Sequence, residues 1–245
     1  MKLLVCISHV PDTTTKITFT PDGKAFNTAG VQFIINPYDE MALTRALELK
    51  EALGGTVTVI NVGTAVTEPT LRKALAIGAD DAIRVNAEPT DALFVAGEIA
   101  AAAKGAGYDI IMGGRESIDY NGCQVMAMVA EFLELPSVAI ATKLDVSGTT
   151  ATLEREIDGG KEIVSVNLPF VVSAQKDFAE PRIPNMRGIM SARTKPLKVV
   201  EPTVSLKPTA SVAFQNPPPK SACKMISAEH PEELIQLLHT EAKII

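Results

Sequence analysis

Residues 110–125, IIMGGRESIDYNGCQV, begin with a short apolar run that is followed directly by two glycines. A helical pattern starts at the end of this stretch. The apolar run predicts a strand over residues 109–112, and the spacing of apolar side chains predicts a helix over 125–133. A strand, a glycine-containing loop and a helix in this order form one unit of a parallel sheet.

The same alternation recurs along the first half of the chain. Further strands are predicted at residues 3–8, 57–62 and 82–85, and helices at residues 38–53, 68–77 and 90–104. Each strand is a nearly continuous apolar run, as expected when helices cover both faces of a sheet. The sequence therefore predicts an α/β fold, in which a doubly wound, mainly parallel sheet is flanked by helices.

Polar residues and glycines stand where these helices should begin and end. Asn36 is expected to cap the first helix, and Pro37 suits its first turn, where no N–H group is needed. Gly54 and Gly78 follow the first and second helices and are expected to end them.

Other segments depart from this alternation. Residues 10–31 are predicted to form an insert that contains a β-hairpin, with its turn at residues 21–23. Residues 137–146, 149–157 and 162–167 are separated by short glycine-containing turns, which predicts an antiparallel hairpin extension. A further strand is predicted at residues 170–173, and a terminal helix at residues 232–238.

The composition excludes several classes of function. The chain has 245 residues and a net charge of −6, and only 4% of its residues are aromatic. A nucleic-acid-binding protein needs clustered cations and stacking side chains, which are missing here. The three cysteines are far apart and no segment approaches the length of a membrane span, so we expect a soluble cytoplasmic protein without a metal site.

The candidate ligand site follows from the predicted sheet. In such a fold, ligands bind beyond the carboxyl ends of the strands, near the point where the strand order reverses. The segments expected to meet there are residues 6–9, 36–39, 62–64 and 113–119.

The loop after the fourth predicted strand offers suitable groups for a phosphate. The N–H groups of residues 122–125 begin a helix, and Arg115 can add positive charge. The spacing matches neither the dinucleotide fingerprint nor the P-loop, and a purely structural turn is the alternative. At the helix start the pKa of Cys123 should in principle be lowered, but an inert thiol is the favoured interpretation.

Three stretches match one known family closely. They are NPYDE (36–40) with ALELK (46–50), then TLRKALAIGAD (70–80), and finally REIDGGKE (155–162) with LPFVV (168–172) and EPR (180–182). Through them the chain resembles the β subunit of electron transfer flavoprotein, over residues 2–195 and weakly beyond. The resemblance implies an adenine-nucleotide α-hydrolase-like fold.

The resemblance also implies a function. The β subunit pairs with an α subunit that carries FAD, and the dimer takes electrons from flavin dehydrogenases, such as acyl-CoA dehydrogenases, toward a quinone reductase. In many members the β subunit holds a structural AMP, whereas in electron-bifurcating members a second FAD occupies that site and NADH is the donor. The chain would then be a carrier subunit, and no catalytic residue is assigned.

The strand-end segments and the resemblance together define the expected nucleotide-binding residues. These are Cys6, Ser8, Asn36, Pro37, Tyr38, Asp39, Val62, Gly63, Gly114, Arg115, Glu116, Ser117, Ile118, Asp119, Asn121, Gly122, Cys123, Gln124 and Val125.

The resemblance also supplies residues that would contact other proteins. Residues 180–190 correspond to a loop that grips the dehydrogenase, with Ile183 or Met186 as its apolar anchor. Glu156 matches an acidic position that faces the α subunit. Residues 1–194 would form the nucleotide-binding domain, including the hairpin and this loop. Residues 195–245, with many of the prolines, would form an extended arm and helix that pack on the partner.

The nucleotide-binding loop combines features of two subtypes. Arg115 and Gln124-Val125 resemble bifurcating members, but Met126-Ala127 stands where those members have Gly-Pro. AMP is favoured because Tyr120 and Met126 would fill the space that a second isoalloxazine needs. Two further alternatives are an adenylyl-transferring enzyme, whose motifs are missing, and a homodimeric stress-type nucleotide sensor, which leaves residues 137–190 unexplained.

Overall fold

The computed structural model describes residues 1–205, 209–220 and 222–245. By their contacts these residues divide into two units, one of residues 1–17 and 27–212, the other of residues 18–26 and 213–245.

The larger unit is an α/β structure, which confirms the predicted fold class. Its elements in the first half are β1 (Lys2–Cys6), β2 (His9–Pro11), β3 (Phe33–Ile35), α1 (Pro37–Leu53), β4 (Thr56–Val62), α2 (Glu68–Ile77), β5 (Asp81–Val85), α3 (Ala92–Ala103), β6 (Ile110–Gly114) and α4 (Val125–Leu133). The second half adds β7 (Ser137–Ser147), β8 (Thr150–Ile157), β9 (Gly160–Asn167), β10 (Phe170–Ala174), α5 (Met186–Ala192) and β11 (Leu197–Val200).

A single nine-stranded sheet organises this unit. Its strand order is β11-β5-β4-β1-β6-β10-β7-β8-β9, and all neighbours are parallel except β7–β8 and β8–β9. The apolar side chains of α1 and α2 pack in one buried cluster, and those of α3 and α4 pack in another. The predicted hairpin extension is therefore confirmed as the end of the same sheet.

The chain reverses its direction across the sheet after β5. It runs from β1 outward to β4 and β5, then returns to place β6 on the other side of β1. The carboxyl ends of β1 and β6 thus flank the point at which ligands bind in doubly wound folds.

The insert differs from the prediction. Residues 17–26 turn back at residues 21–23 as predicted, but their antiparallel pairing is limited to one bridge between Phe19 and Phe26 and a 2.9 Å hydrogen bond from the N–H of Thr20 to the carbonyl of Ala25, so no strands form. Most of these side chains are exposed, so they bury too little apolar surface to hold two strands together. The antiparallel pair in this region is formed instead by β2 and β3, where Val10 and Ile35 are buried.

Two further elements bear on the C-terminal third. No strand is predicted for residues 197–200, yet β11 pairs with β5 and forms one edge of the sheet. The smaller unit contains α6 (Pro231–Leu237) and a contact between two distant segments. There the N–H of Phe214 donates a 2.7 Å hydrogen bond to the carbonyl of Gly23, and the Phe214 ring stacks on Phe19 at 5.3 Å.

Candidate nucleotide site and docking segment

Asp39 joins the two loops at the reversal point of the sheet. Its carboxylate lies in the first turn of α1 and is buried. Oδ2 accepts a 2.7 Å hydrogen bond from the backbone N–H of Ser8, after β1, and Oδ1 accepts one of 2.6 Å from Gly114, at the end of β6. One carboxylate therefore fixes two of the predicted site segments relative to each other.

The environment of Asp39 also changes its acidity. Burial raises the pKa of the carboxyl group to about 6, because the charged form loses its hydration. The two N–H donors favour the charged form, but they offset this effect only in part.

Asn36 connects α1 to the loop that follows β6. Its Nδ2 donates to the carbonyl of Glu116 at 2.8 Å, and its Oδ1 accepts from the N–H of Ile118 at 3.2 Å. The side chain makes no capping hydrogen bond, so the predicted cap is wrong. Both polar ends of the amide are engaged by the loop, which leaves neither for the helix, whereas Pro37 does occupy the first turn as predicted.

The two glycines at the end of β6 leave room for helices. A Cβ on Gly114 would lie 2.6 Å from Asp39 Oδ1 and from Tyr38 Cβ, and a Cβ on Gly113 would lie 2.5 Å from Met126 Sδ. Their small size therefore serves the close approach of α1 and α4, a structural role that the motif alone did not reveal.

Arg115, Glu116 and Cys123 form a side-chain network in the loop. Glu116 Oε1 accepts from Arg115 Nη2 at 2.7 Å and from Nε at 3.2 Å, and its Oε2 accepts from the Cys123 thiol at 3.1 Å. The Arg115 guanidinium also lies 5.3 Å from the centre of the Tyr38 ring. The positive charge of Arg115, predicted to support phosphate binding, is thus already paired with Glu116.

Cys123 behaves differently from the expected helix-start thiol. The side chain is exposed, and its hydrogen bond to the Glu116 carboxylate raises the pKa of the thiol. The lowering that a helix start gives in principle is therefore not seen, because the nearby anion disfavours the thiolate, and this agrees with the inert thiol that the sequence favoured. Cys6, at the end of β1, is buried, and burial raises the pKa of that thiol.

A run of backbone donors lies beside this network. The N–H groups of residues 122–125 make no hydrogen bond with any part of the chain that the structure describes. Asn121 and Cys123 adopt left-handed conformations, with φ of 50° and 52°, and a Cβ on Gly122 would meet no described atom within 4 Å. Successive free N–H groups in such a loop form a concave site for an anion.

The predicted site residues on β4 reach the same end of the sheet. Val62 packs in one apolar cluster with Cys6 and Met126. Gly63 is held toward β5 instead, because its N–H donates to the carbonyl of Val85 at 3.0 Å and its carbonyl accepts from Arg84 Nη1 at 2.9 Å.

Sequence reasoning missed two polar residues that fix this end of the sheet. Arg84 is buried and also pairs with Glu68, at 3.1 Å, while Asn61 donates to the carbonyl of Ile7 at 2.8 Å. Each of them is a polar residue within an otherwise apolar strand, a pattern that could have indicated a buried polar contact. The two residues are paired in register, Asn61 on β4 with Arg84 on β5.

The candidate docking loop carries an exposed apolar surface. Ile183 is 91% exposed and Met186 is 73% exposed, and Ile189 and Met190 are exposed beside them. Apolar side chains grouped at a surface in this way are typical of sites that contact a protein, a membrane or a ligand.

Side-chain and backbone contacts fix the same loop within the larger unit. Arg182 forms a two-pronged ion pair with Glu51, at 2.6 and 2.9 Å. Asn185 caps α5 by accepting from the N–H of Gly188 at 2.8 Å, and a Cβ on Gly188 would lie 2.2 Å from the carbonyl oxygen of Ala76. The apolar side chains are thus presented by a fixed segment.

Glu156 lies apart from the docking loop. It is exposed on β8 and accepts a 3.2 Å hydrogen bond from Gln175 Nε2. Within the described residues, no hydrogen bond or ion pair joins Glu156 to residues 180–190.

In the described ranges, no helix is long and apolar enough to cross a bilayer.

Comparison with known proteins places the chain in a family. A family model described as "Electron transfer flavoprotein domain" matches residues 24–205. The chain is 37% identical to "Electron transfer flavoprotein subunit beta" of Bacillus subtilis, with 100% of both chains covered. It is 38% identical to the protein of that name from Syntrophomonas wolfei, over 91% of this chain and 88% of that one. Identity to the Homo sapiens protein of that name is 34%, over 100% of this chain and 99% of the other. The chain belongs to the family of electron transfer flavoprotein β subunits.

Proposed function

We propose that this chain is the β subunit of a heterodimeric electron transfer flavoprotein that contains a structural AMP. The dimer carries electrons from flavin dehydrogenases, such as acyl-CoA dehydrogenases, toward a quinone reductase. FAD, shared with or held by the α subunit, would supply the electron-carrying chemistry. The observation that carries the β-site assignment is the run of free N–H groups at residues 122–125, beside a loop fixed by Asn36 and Asp39.

The loop geometry suits the phosphate of a mononucleotide. The oxygens of a single phosphate can accept hydrogen bonds from several of these N–H groups at once, and the open space at Gly122 leaves room for the phosphate. Met126 is buried against Gly113, which supports the smaller ligand. Tyr120 is 68% exposed and is not packed into the loop as Met126 is, so the support for AMP comes from Met126.

Besides binding the nucleotide, this chain would contact a dehydrogenase and pack on the α subunit. The exposed apolar side chains at Ile183 and Met186 support contact with a dehydrogenase, and a small, transient interface suits rapid electron transfer. In the arm of residues 195–245, Leu234 and Ile235 of α6 are exposed, which supports packing on the α subunit. The three cysteines are free, as suits a reducing compartment such as the cytoplasm.

The nucleotide content of the heterodimer tests the proposal. The chain is co-expressed with an α subunit, the purified complex is denatured, and the released nucleotides are quantified by chromatography. One FAD and one AMP per heterodimer are expected. Two FAD would support an electron-bifurcating subunit with NADH as donor, the alternative suggested by Arg115 and Gln124-Val125. If one FAD per heterodimer were the only nucleotide released, the result would contradict a nucleotide site in this chain.

A pair of variants assigns the AMP to the loop. Gly122→Asp introduces a carboxylate beside the free N–H groups, and Gly122→Asn introduces a side chain of the same size without charge. We expect AMP to be lost from the Asp variant and retained by the Asn variant, with FAD unchanged in both. Equal AMP content in the two variants would contradict phosphate binding at this loop.

A further inference from the structure

The side chain of Glu116 occupies an unusual position for an anion-binding loop. It is largely buried, with 10% of its side chain exposed, and its carboxylate lies 3.1 Å from the sulfur of Cys123. Cys123 belongs to the run of residues whose N–H groups are free. A negative charge therefore stands directly beside the place where a phosphate would bind.

The position of Glu116 is fixed from two sides. Its backbone carbonyl accepts from Asn36 Nδ2 at 2.8 Å, and its carboxylate accepts from both Arg115 and Cys123. The hydrogen bonds from Arg115 and Cys123 also lower the pKa of the carboxyl group, so it is ionised at neutral pH. The charge cannot move away from the loop without breaking this network.

The same network removes the nearest cation from a ligand. Arg115 makes two hydrogen bonds to Glu116 and lies over the ring of Tyr38, which directs its guanidinium toward α1. The backbone donors at residues 122–125 then face a ligand with little net positive charge behind them. Backbone N–H groups can satisfy one phosphate, but a second phosphate adds charge that nothing in this network neutralises.

We propose that Glu116 sets the number of phosphate groups that the loop accepts, and that it selects a nucleoside monophosphate over a nucleotide with a pyrophosphate. The inference rests on the nucleotide site proposed above and adds the residue that determines its specificity. Glu116 acts by charge at short range, both by repelling the additional phosphate and by pairing with Arg115.

A competition experiment on the heterodimer tests the role of Glu116. The complex is unfolded and refolded with FAD in an equimolar mixture of AMP and ADP, and the ratio of bound AMP to bound ADP is measured. Glu116→Gln keeps an oxygen that can accept from Arg115 but removes the charge, and the ratio should fall about tenfold. Glu131→Gln, which removes the same charge at an exposed site farther along α4, should leave the ratio unchanged.

A second variant shifts the ratio in the opposite direction. Arg115→Gln leaves the Glu116 charge unpaired, so discrimination against ADP should increase. A Glu116→Gln complex with the wild-type ratio, or an Arg115→Gln complex with a lower one, would overturn the inference. Wild-type complex that binds neither AMP nor ADP would instead overturn the proposed nucleotide site, whatever the variants do.

Discussion

Asp39 accepts a 2.6 Å hydrogen bond from the backbone N–H of Gly114, a residue 75 positions farther along the chain. The bond ties the first turn of α1 to the end of β6, on one side of the point where the strand order reverses. A second bond from Ser8 ties the same carboxylate to the loop after β1. The candidate nucleotide site is therefore built around one buried acidic side chain.

The acidity of Asp39 predicts a dependence of stability on pH. Its pKa is about 6 in the folded chain, against 3.8 for an unperturbed aspartate. Between these values the unfolded chain releases the proton while the folded chain retains it, so the unfolding free energy falls as pH rises. The loss is about 3 kcal/mol in total, continues through the folded pKa and is complete at about pH 7. Asp39→Asn removes this contribution.

The comparison is made by urea unfolding of wild type and Asp39→Asn at several pH values across this range. The difference in unfolding free energy, wild type minus variant, should decrease as pH rises from about 4 to about 7 and then become constant. A difference that increases across this window would show that the pKa of Asp39 is lowered in the folded chain.

The packing of Gly114 predicts a steric cost for a single methyl group. In Gly114→Ala the added Cβ would approach Asp39 Oδ1 and Tyr38 Cβ at 2.6 Å. We expect the unfolding free energy to fall by about 1–3 kcal/mol, as is typical of overpacked sites. Gly160→Ala is the matched control, because a Cβ there meets no described atom within 4 Å. Equal stability of the two variants, measured by urea unfolding, would refute the close approach.

Removing the exposed apolar side chains of the docking loop should slow electron transfer without changing the cofactor content. Ile183→Ala combined with Met186→Ala removes apolar surface without disturbing buried groups. The rate of electron transfer from a dehydrogenase should fall severalfold, while the FAD content of the heterodimer stays unchanged. Val199→Ala, an exposed apolar site on β11, should have no effect. A double variant with the wild-type transfer rate would remove the loop from the docking surface.

The contact beneath Gly188 predicts local loosening of the same loop. In Gly188→Ala the new Cβ would lie 2.2 Å from the carbonyl oxygen of Ala76, so α5 must shift away from α2. Trypsin should then cleave after Arg187 several times faster under native conditions, because local opening becomes easier. The control is again Gly160→Ala, and an unchanged cleavage rate for the Gly188 variant would show that α5 does not rest on Ala76.

Elements formed by local sequence pattern were predicted well. The helix from Glu68 to Ile77 has the predicted bounds, and the three strands from Ser137 to Asn167 differ from the prediction by a residue or two at their ends. Continuous apolar runs, helical spacing and glycine-containing turns act over a few residues, so they can be recognised before any partner is known. The turn at residues 21–23 was predicted correctly, but the strands on either side of it were not, because few of their side chains are buried.

Features that depend on distant partners needed the tertiary structure. The sequence by itself determined the α/β architecture, the family resemblance and the loops that meet at the carboxyl ends of the strands. Only packing decided that Asn36 serves the loop and not the helix, that Gly114 makes room for Asp39, and that Glu116 pairs with Arg115 while it accepts from Cys123. A hydrogen-bonding side chain has several local options, and which option wins depends on the groups that the fold brings within about 3 Å of it.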